Sequence, residues 1–150
     1  MKVVCALFLM AVLCWAASEG GLEEELAIRK VLADSTGALN RHVENLTPDG
    51  YSDDFDAVNP AGVRVAGKPN LGEAFKTNLR NAHKIENVQR IRLIRPDVAL
   101  VDTECEFTGT DMKPHLKLLE AIVLVKENGH WTITALRMTI PASPVGAPMQ

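Results

Sequence analysis

The chain has 150 residues, of which 47% are hydrophobic and 23% charged, a composition typical of one ordinary globular domain. Its net charge of −3 argues against the basic stripe that nucleic-acid-binding proteins carry. No run of lysine or arginine indicates binding to an anionic membrane surface. We therefore expect no nucleic-acid partner.

The first residues have the pattern of a secretory signal peptide. A short positive segment precedes an apolar block at 3–15, which is shorter than the ~20 apolar residues that span a bilayer. Ala16 and Ser18 fit a cleavage before Glu19; the alternatives are cleavage after Ala16 or retention as a membrane anchor. We predict a signal peptide at 1–18, a secreted or periplasmic protein, and no stable membrane anchor after cleavage.

Cleavage would remove two of the three cysteines and leave Cys105 alone, so the mature fold is expected to have no internal disulfide. Cys105 lies within an alternating strand pattern, which indicates a small buried hydrophobic residue. The four histidines are scattered, and no cysteine or histidine spacing is typical of a zinc site. We expect neither a metal nor a cofactor.

Two segments have helical patterns. In the first, 21–46, apolar residues recur at helical spacing, three glutamates occupy the first turn, and Thr47–Gly50 ends the helix. The second begins in KPNLGEAF, with Asn70 as its cap and Glu73 three residues later. Between the helices, DDFDAVNPAGVRV predicts a short hairpin with Pro60 at the second position of its turn.

From Glu86 onward the sequence predicts strands. ENVQRIRLIR, VALVDTECEF, HLKLLEAIVLVK and HWTITALRMTI predict an antiparallel meander, and Asn128-Gly129 predicts a two-residue hairpin before the last strand. Because the two helices can cover one face, we predict an α+β domain at 19–140, a curved antiparallel sheet wrapped around N-terminal helices. A curved sheet wrapped around helices forms a cone, and we predict a ligand pocket at its open mouth. We predict that residues 141–150 form a disordered tail.

The order of these segments resembles the nuclear transport factor 2-like superfamily, specifically its SnoaL-like branch, which has the cystatin-like cone. The resemblance covers roughly residues 22–140 and rests on DDFDAVNPAGVRVAG, VQRIRLIRPDVALVD and AIVLVKENGHWTITALRMT. It implies a cone whose mouth holds one or two acid/base residues, as in polyketide cyclases, ketosteroid isomerase and scytalone dehydratase. Those residues vary in position between branches, so the fold alone does not fix a reaction.

The stretch YSDDFDAVNP, residues 51–60, contains most of the candidate site residues. Asp54 and Asp56 share one face of a strand, ~6.6 Å apart along it. Asp56 is the preferred general base, because it lies further inside the strand and a carboxylate beside an apolar pocket can abstract a proton. Tyr51 is its candidate partner at the pocket mouth, and Asp54 and Asn59 are candidate ligand-binding residues. The alternative is that the aspartates are solvated residues of an edge strand.

Two further candidates come from other elements. His42 falls in the apolar stripe of the first helix and is a second candidate partner for Asp56; the alternative is a core histidine bonded to backbone. Arg137 is a candidate for binding a ligand carboxylate or pairing with a pocket aspartate. Strand alternation places Arg137 on the same face as Ile133 and Ala135, so a surface covered by another subunit is the alternative for it.

Three functions stay open on the sequence. The first is binding, without chemistry, of a small apolar or amphipathic molecule in the cone. The second is a cyclase, isomerase or dehydratase that uses Asp56 with His42 or Tyr51. The third is an assembly role for the exposed sheet face. We expect a homodimer in each case, because apolar residues alternate along strands that already have one face covered by helices.

Overall fold

The computed structural model describes residues 3–41, 50–78, 81–109 and 112–142. Most of the predicted tail therefore lies outside the described residues. The helices and strands, in chain order, are α1 (Val3–Asn40), β1 (Tyr51–Val58), β2 (Arg64–Ala66), α2 (Lys68–Asn78), β3 (Ala82–Arg95), β4 (Val98–Gly109), β5 (Met112–Glu127) and β6 (His130–Thr139). The predicted α+β order is confirmed.

The six strands form one curved sheet in the order β2-β1-β6-β5-β4-β3. The last four strands pair with their sequence neighbours in antiparallel fashion, as predicted. The first strand pairs in parallel with the last, with Tyr51 opposite Ile133. This parallel pairing, which the sequence pattern did not predict, places β1 in the interior of the sheet rather than at its edge.

Helix α1 covers the inner face of the sheet. Ile28 and Leu32 pack in one buried cluster with Phe55, Val101 and Leu124 of the strands. The burial of these side chains supplies the driving force that holds helix and sheet together. A second cluster lies towards the end of α1, and its members are Leu39, Ala82, Cys105, Phe107 and Leu118. Cys105 is buried, as expected.

The predicted signal segment and the first amphipathic helix form one continuous helix, α1, from Val3. Glu24 fastens this helix to the β5–β6 hairpin by accepting hydrogen bonds from Lys126 Nζ at 2.6 Å and Trp131 Nε1 at 2.7 Å. These bonds, first Lys126 and then Trp131, lower the pKa of Glu24. No helix among the described residues is both long and apolar enough to cross a membrane.

The sequence predicted the last hairpin turn correctly and the start of α2 incorrectly. Asn128 and Gly129 have φ angles of 50° and 82°, which the predicted tight hairpin requires. Helix α2 begins at Lys68, whereas Asn70 was expected to cap it. Pro69 fits the first turn, because its missing N–H has no helical partner there. Asn70 lies inside that turn and donates to the carbonyl of Ala66 at 2.7 Å.

Candidate functional site

A cavity of about 240 Å³ lies between the helices and the inner face of the sheet. Apolar side chains make up most of its lining: Leu39, Phe55, Ala57, Val65, Leu71, Phe107, Leu116, Leu118, Leu136 and Met138. The polar side chains of the described lining are Ser35, Thr36, Tyr51, Asn59, Lys84 and Glu120. The cavity is therefore an apolar chamber with a few polar groups, an arrangement typical of small-molecule sites.

Two of the lining residues, Lys84 and Glu120, belong to a buried group of charges that also includes Glu86, and we call these three residues the inner ion cluster. Lys84 Nζ donates to Glu86 Oε1 and to Glu120 Oε2, both at 2.8 Å. The three side chains are only 12%, 7% and 1% exposed. Two hydroxyls complete the cluster: Thr36 donates to Glu86 Oε2 at 2.8 Å, and Thr103 donates to Glu120 Oε2 at 3.0 Å.

Strand geometry and one helix contact position these charges. Lys84 and Glu86 lie two residues apart on β3, so both point to the inner face. Glu120 is the direct partner of Thr103 across β5 and β4. Asn40, the last residue of α1, donates to the Lys84 carbonyl at 2.8 Å and accepts from the Lys84 amide at 2.7 Å. These two hydrogen bonds to the backbone fix the end of α1 beside Lys84.

The inner ion cluster leaves one acceptor unused. Glu120 Oε1 is buried and accepts no hydrogen bond from any residue that the structure describes. Burial opposes the charge of Lys84, but the carboxylates of Glu120 and Glu86 outweigh it and raise the pKa of Lys84 above its usual value. The ammonium therefore stays charged. The formal charges of the three side chains sum to −1.

Tyr51 also lines the cavity. Its hydroxyl lies 2.7 Å from Ser35 Oγ, and its ring meets that of Phe55 edge-on at 4.9 Å between centroids. Burial raises the pKa of the Tyr51 phenol. The hydroxyl is therefore neutral at physiological pH and can donate a hydrogen bond. The structure places Tyr51 at the cavity, and a catalytic role for it stays a prediction.

Asp56 belongs to a different group of charges, Asp56, Arg64 and Arg137, which we call the outer ion cluster. Arg64 Nε donates to Asp56 Oδ1 at 2.6 Å, while Arg137 donates to Asp56 Oδ2 and, at 3.0 Å, to the Asp56 carbonyl. Hydrogen bonds from Arg64 and then Arg137 lower the pKa of Asp56. The neighbours Phe55 and Ala57 face the cavity, so Asp56 points to the opposite face. The expectation of a pocket-facing Asp56 is corrected, and its catalytic role stays a prediction.

A β-bulge explains the position of Arg137. Thr134 is an extra residue in the pairing of β6 with β5. Ile133 before the bulge is buried, and Leu136 after it lines the cavity, so the inward positions change from odd to even numbers. Arg137 therefore faces outward. The expectation that Arg137 shares a face with Ile133 is wrong for this reason, whereas Ala135 does share its face.

The other three candidates lie apart from the inner ion cluster or outside the described residues. Asn59 lines the cavity, but its Oδ1 accepts from the amides of Ala61 at 3.0 Å and Val63 at 2.9 Å, and so shapes the β1–β2 turn. Asp54 is exposed and lines a separate groove. His42 lies outside the described residues. In those residues, no group of three or more His, Cys, Asp or Glu side chains is arranged to hold a metal.

The sequence predictions missed all three members of the inner ion cluster. Lys84 lies before the predicted start of β3 at Glu86, whereas the strand begins at Ala82. Glu120 occupies an inward position of β5 between the buried Leu118 and Ile122. A carboxylate at an inward position of an alternating strand was the available signal, because such groups are rarely buried without a partner.

No protein-family model matches the chain, and no curated protein matches it significantly. Solved structures do match. A Nostoc punctiforme domain of unknown function with a cystatin-like fold has 20% identity and a TM-score of 0.68, over 79% of this chain and 78% of its own. A protein provisionally named a scytalone dehydratase, from Novosphingobium aromaticivorans, has 15% identity and a TM-score of 0.69, over 88% of this chain and 99% of its own.

A third similar structure is a ketosteroid isomerase-like protein from Erwinia carotovora atroseptica. It has 18% identity and a TM-score of 0.64, over 81% of this chain and 98% of its own. At identities this low, the three likenesses establish a shared fold and no shared activity. The chain has the cystatin-like, nuclear transport factor 2-like fold, and the fold predicted from the sequence is confirmed.

Proposed function

We propose that this protein is a binding protein that holds a small, largely apolar molecule with one polar group in the cavity of its cone. The observation that supports this function is the chamber itself, whose lining is mostly apolar but includes Lys84 and Glu120 of the inner ion cluster. Apolar walls supply affinity by removing ligand surface from water, and a few fixed polar groups orient the ligand.

The size of the cavity bounds the ligand. An engineered apolar cavity of ~150 Å³ holds benzene. A chamber of about 240 Å³ therefore has room for one ring with a short substituent, or for an aliphatic chain of similar volume. Secretion and homodimer formation belong to the proposal as predictions of the sequence, supported by the signal pattern at 1–18 and by strand alternation.

Filling the cavity from one wall tests the binding function. Ala74 lies on α2 and lines the cavity, so Ala74→Leu should occupy part of it. Ala33 lies exposed on α1, and Ala33→Leu is the matched control. We expect fluorobenzene, followed by ¹⁹F NMR, to bind the native protein and the control alike, and to bind Ala74→Leu about tenfold more weakly or not at all. Equal binding to all three proteins would contradict the proposed site.

An acid–base enzyme of the isomerase or dehydratase type is a second candidate function. The observation that favours it is that Glu120, which has one unused oxygen, and Tyr51, which has a neutral hydroxyl, line the same cavity. A buried carboxylate and a phenol are groups that can move a proton next to a carbonyl. Two of the similar structures bear isomerase-like or dehydratase names.

Proton exchange separates this candidate from binding alone. A carboxylate base would exchange the α-protons of a small cyclic ketone, such as cyclohexenone, with deuterium from the solvent. We expect Glu120→Gln to abolish that exchange if the enzyme function is correct. The control is Glu106→Gln, because Glu106 pairs with His115 on an exposed part of the sheet. Exchange at the uncatalysed rate with native protein would leave binding as the function.

A further inference from the structure

The inner ion cluster is incomplete as a set of hydrogen bonds. Lys84 and Thr103 both donate to the same oxygen, Glu120 Oε2, and leave Oε1 without a donor among the described residues. The Glu120 side chain is 1% exposed, so bulk water does not solvate the group freely. A buried acceptor with no partner is costly, and such groups in native proteins commonly await a ligand or an ordered water.

No neighbouring side chain that the structure describes supplies a strong donor to Glu120 Oε1. The hydroxyl of Tyr51 is engaged with Ser35. The Cys105 thiol is close enough to hydrogen-bond with Glu120, and burial, the charge of Glu120 and that bond raise the pKa of the thiol to about 12. That thiol is therefore neutral, and a thiol is a weak donor. Lys84 is the single basic side chain of the described cavity lining, and Glu86 and Glu120 share its charge.

The charge balance points in the same direction as the hydrogen bonds. The formal charges of Lys84, Glu86 and Glu120 sum to −1, and Lys84 is the single basic side chain of the largely apolar lining that the structure describes. Low polarity strengthens the attraction between this charge and an incoming cation, and equally the repulsion of an anion. An alcohol would satisfy the hydrogen bond and leave the charge unbalanced.

We propose, resting on the binding function proposed above, that the ligand is an apolar amine whose ammonium group donates a hydrogen bond to Glu120 Oε1. Its hydrocarbon part would lie against the apolar lining. Met138 is the residue directly opposite Glu120 on β6, and it lines the same cavity. The carbon next to the nitrogen would therefore meet a soft, polarisable side chain that tolerates different shapes.

Three probes of nearly equal size and different charge test this assignment. Phenethylamine, phenethyl alcohol and phenylacetate are titrated by calorimetry into the full-length native protein, into Glu120→Gln and into Glu106→Gln. We expect the amine to bind about tenfold or more tightly than the alcohol, and phenylacetate most weakly, since hydrogen bonds to charged groups exceed neutral ones by that order.

The variants isolate the carboxylate. Glu120→Gln is expected to weaken the amine about tenfold and to leave the alcohol within about threefold of its native affinity, because the amide keeps the shape and loses the charge. Glu106→Gln should change neither. Alcohol binding to Glu120→Gln also demonstrates an intact cavity. If that variant does not fold, the ranking of the three probes on the native protein decides the matter.

The failures are distinguishable. Alcohol or phenylacetate binding as tightly as the amine, or an equal loss of all probes in Glu120→Gln, would overturn the amine assignment and leave the binding function standing. Absence of binding by all three probes to the native protein would overturn the binding function and the amine assignment together.

Discussion

The protein has two three-membered ion clusters, and they differ in almost every respect except the number of charges. The inner ion cluster has two carboxylates and one lysine, and its side chains are 1–12% exposed. The outer ion cluster has two arginines around Asp56, and its side chains are 19–67% exposed. Their formal charges are −1 and +1.

The difference teaches that burial, more than hydrogen-bond length, sets the importance of an ion pair. Both clusters have short, direct bonds. In the outer ion cluster, water and salt screen the charges, and removal of one partner leaves the others solvated. In the inner ion cluster, removal of the cation leaves two buried carboxylates, and the described cavity lining has no other basic side chain to replace Lys84.

The largest expected effect comes from Lys84→Met. This change removes the shared cation while keeping most of the side-chain volume, and we expect it to lower the free energy of unfolding by ~3–5 kcal/mol. Because the pKa of Lys84 is raised, its contribution is complete below about pH 10, the ordinary range of lysine, and is lost as pH rises through the higher folded value. Urea unfolding at neutral pH measures the loss.

A double variant provides the control for that experiment. Lys84→Met combined with Glu120→Gln removes one cation and one anion together, so the double variant should recover part of the stability lost in Lys84→Met. A loss from Lys84→Met that is no larger than that of an ordinary surface substitution would show that water reaches the inner ion cluster.

The next effect is expected from Thr103→Val. Thr103 is 2% exposed, and its hydroxyl donates to Glu120. Valine keeps the shape and the strand preference but removes the donor, so we expect a loss of ~1–3 kcal/mol, typical of a buried bond to a charged group. Thr103→Ser keeps the hydroxyl and should lose less in the same urea titration. A larger loss for serine would assign the role of Thr103 to its methyl group.

A smaller effect is expected from Tyr51→Phe, which removes the bond to Ser35 at a cost of ~0.5–1.5 kcal/mol at neutral pH. Because the pKa of Tyr51 is raised, native protein loses stability as pH rises above about 10, and the variant should lose less over that range. Tyr51 is the single tyrosine, so phenolate absorbance reports it alone. Phenolate that forms reversibly near pH ~10 without unfolding would contradict its burial.

The smallest effect is expected from Asp56→Asn, which should fold normally with a stability close to that of the native protein. Because the pKa of Asp56 is lowered, its contribution is present above its ordinary pKa of about 4 and is lost as pH falls through the lower folded value. The difference between native protein and variant should therefore shrink at acid pH, and also in high salt. Asp54→Asn is the matched control; a change as large as that of Lys84→Met would remove the distinction between the clusters.

The sequence predicted the fold well because the fold depends on local periodicity. Alternation from β3 to β6, the Asn128-Gly129 turn and two amphipathic helices are each visible within a short window. The residues of the candidate site were predicted less well than the fold. Asp56 drew attention as one of three aspartates in a short run, yet its partners Arg64 and Arg137 come from two other strands, and no local pattern shows that pairing.

Two physical features limited the prediction of the site. Thr134 adds one residue to β6, and a single added residue exchanges the two faces of a strand for everything that follows. The inner ion cluster is charged, and composition rules assign charged residues to the surface unless a partner is known. Lys84 and Glu120 come from strands far apart in the sequence, so the partner becomes visible only once the sheet is assembled.

The parallel pairing of β1 with β6 has a consequence for how the chain folds during synthesis. Strand β1 can pair with β6 only late in synthesis, because Ile133, the partner of Tyr51, is made when nearly the whole chain has been synthesised. Contacts this distant in sequence make folding slow, because a long loop must close before any pairing energy is gained. The sheet can therefore join β1 to β6 only after the segment around Ile133 is available.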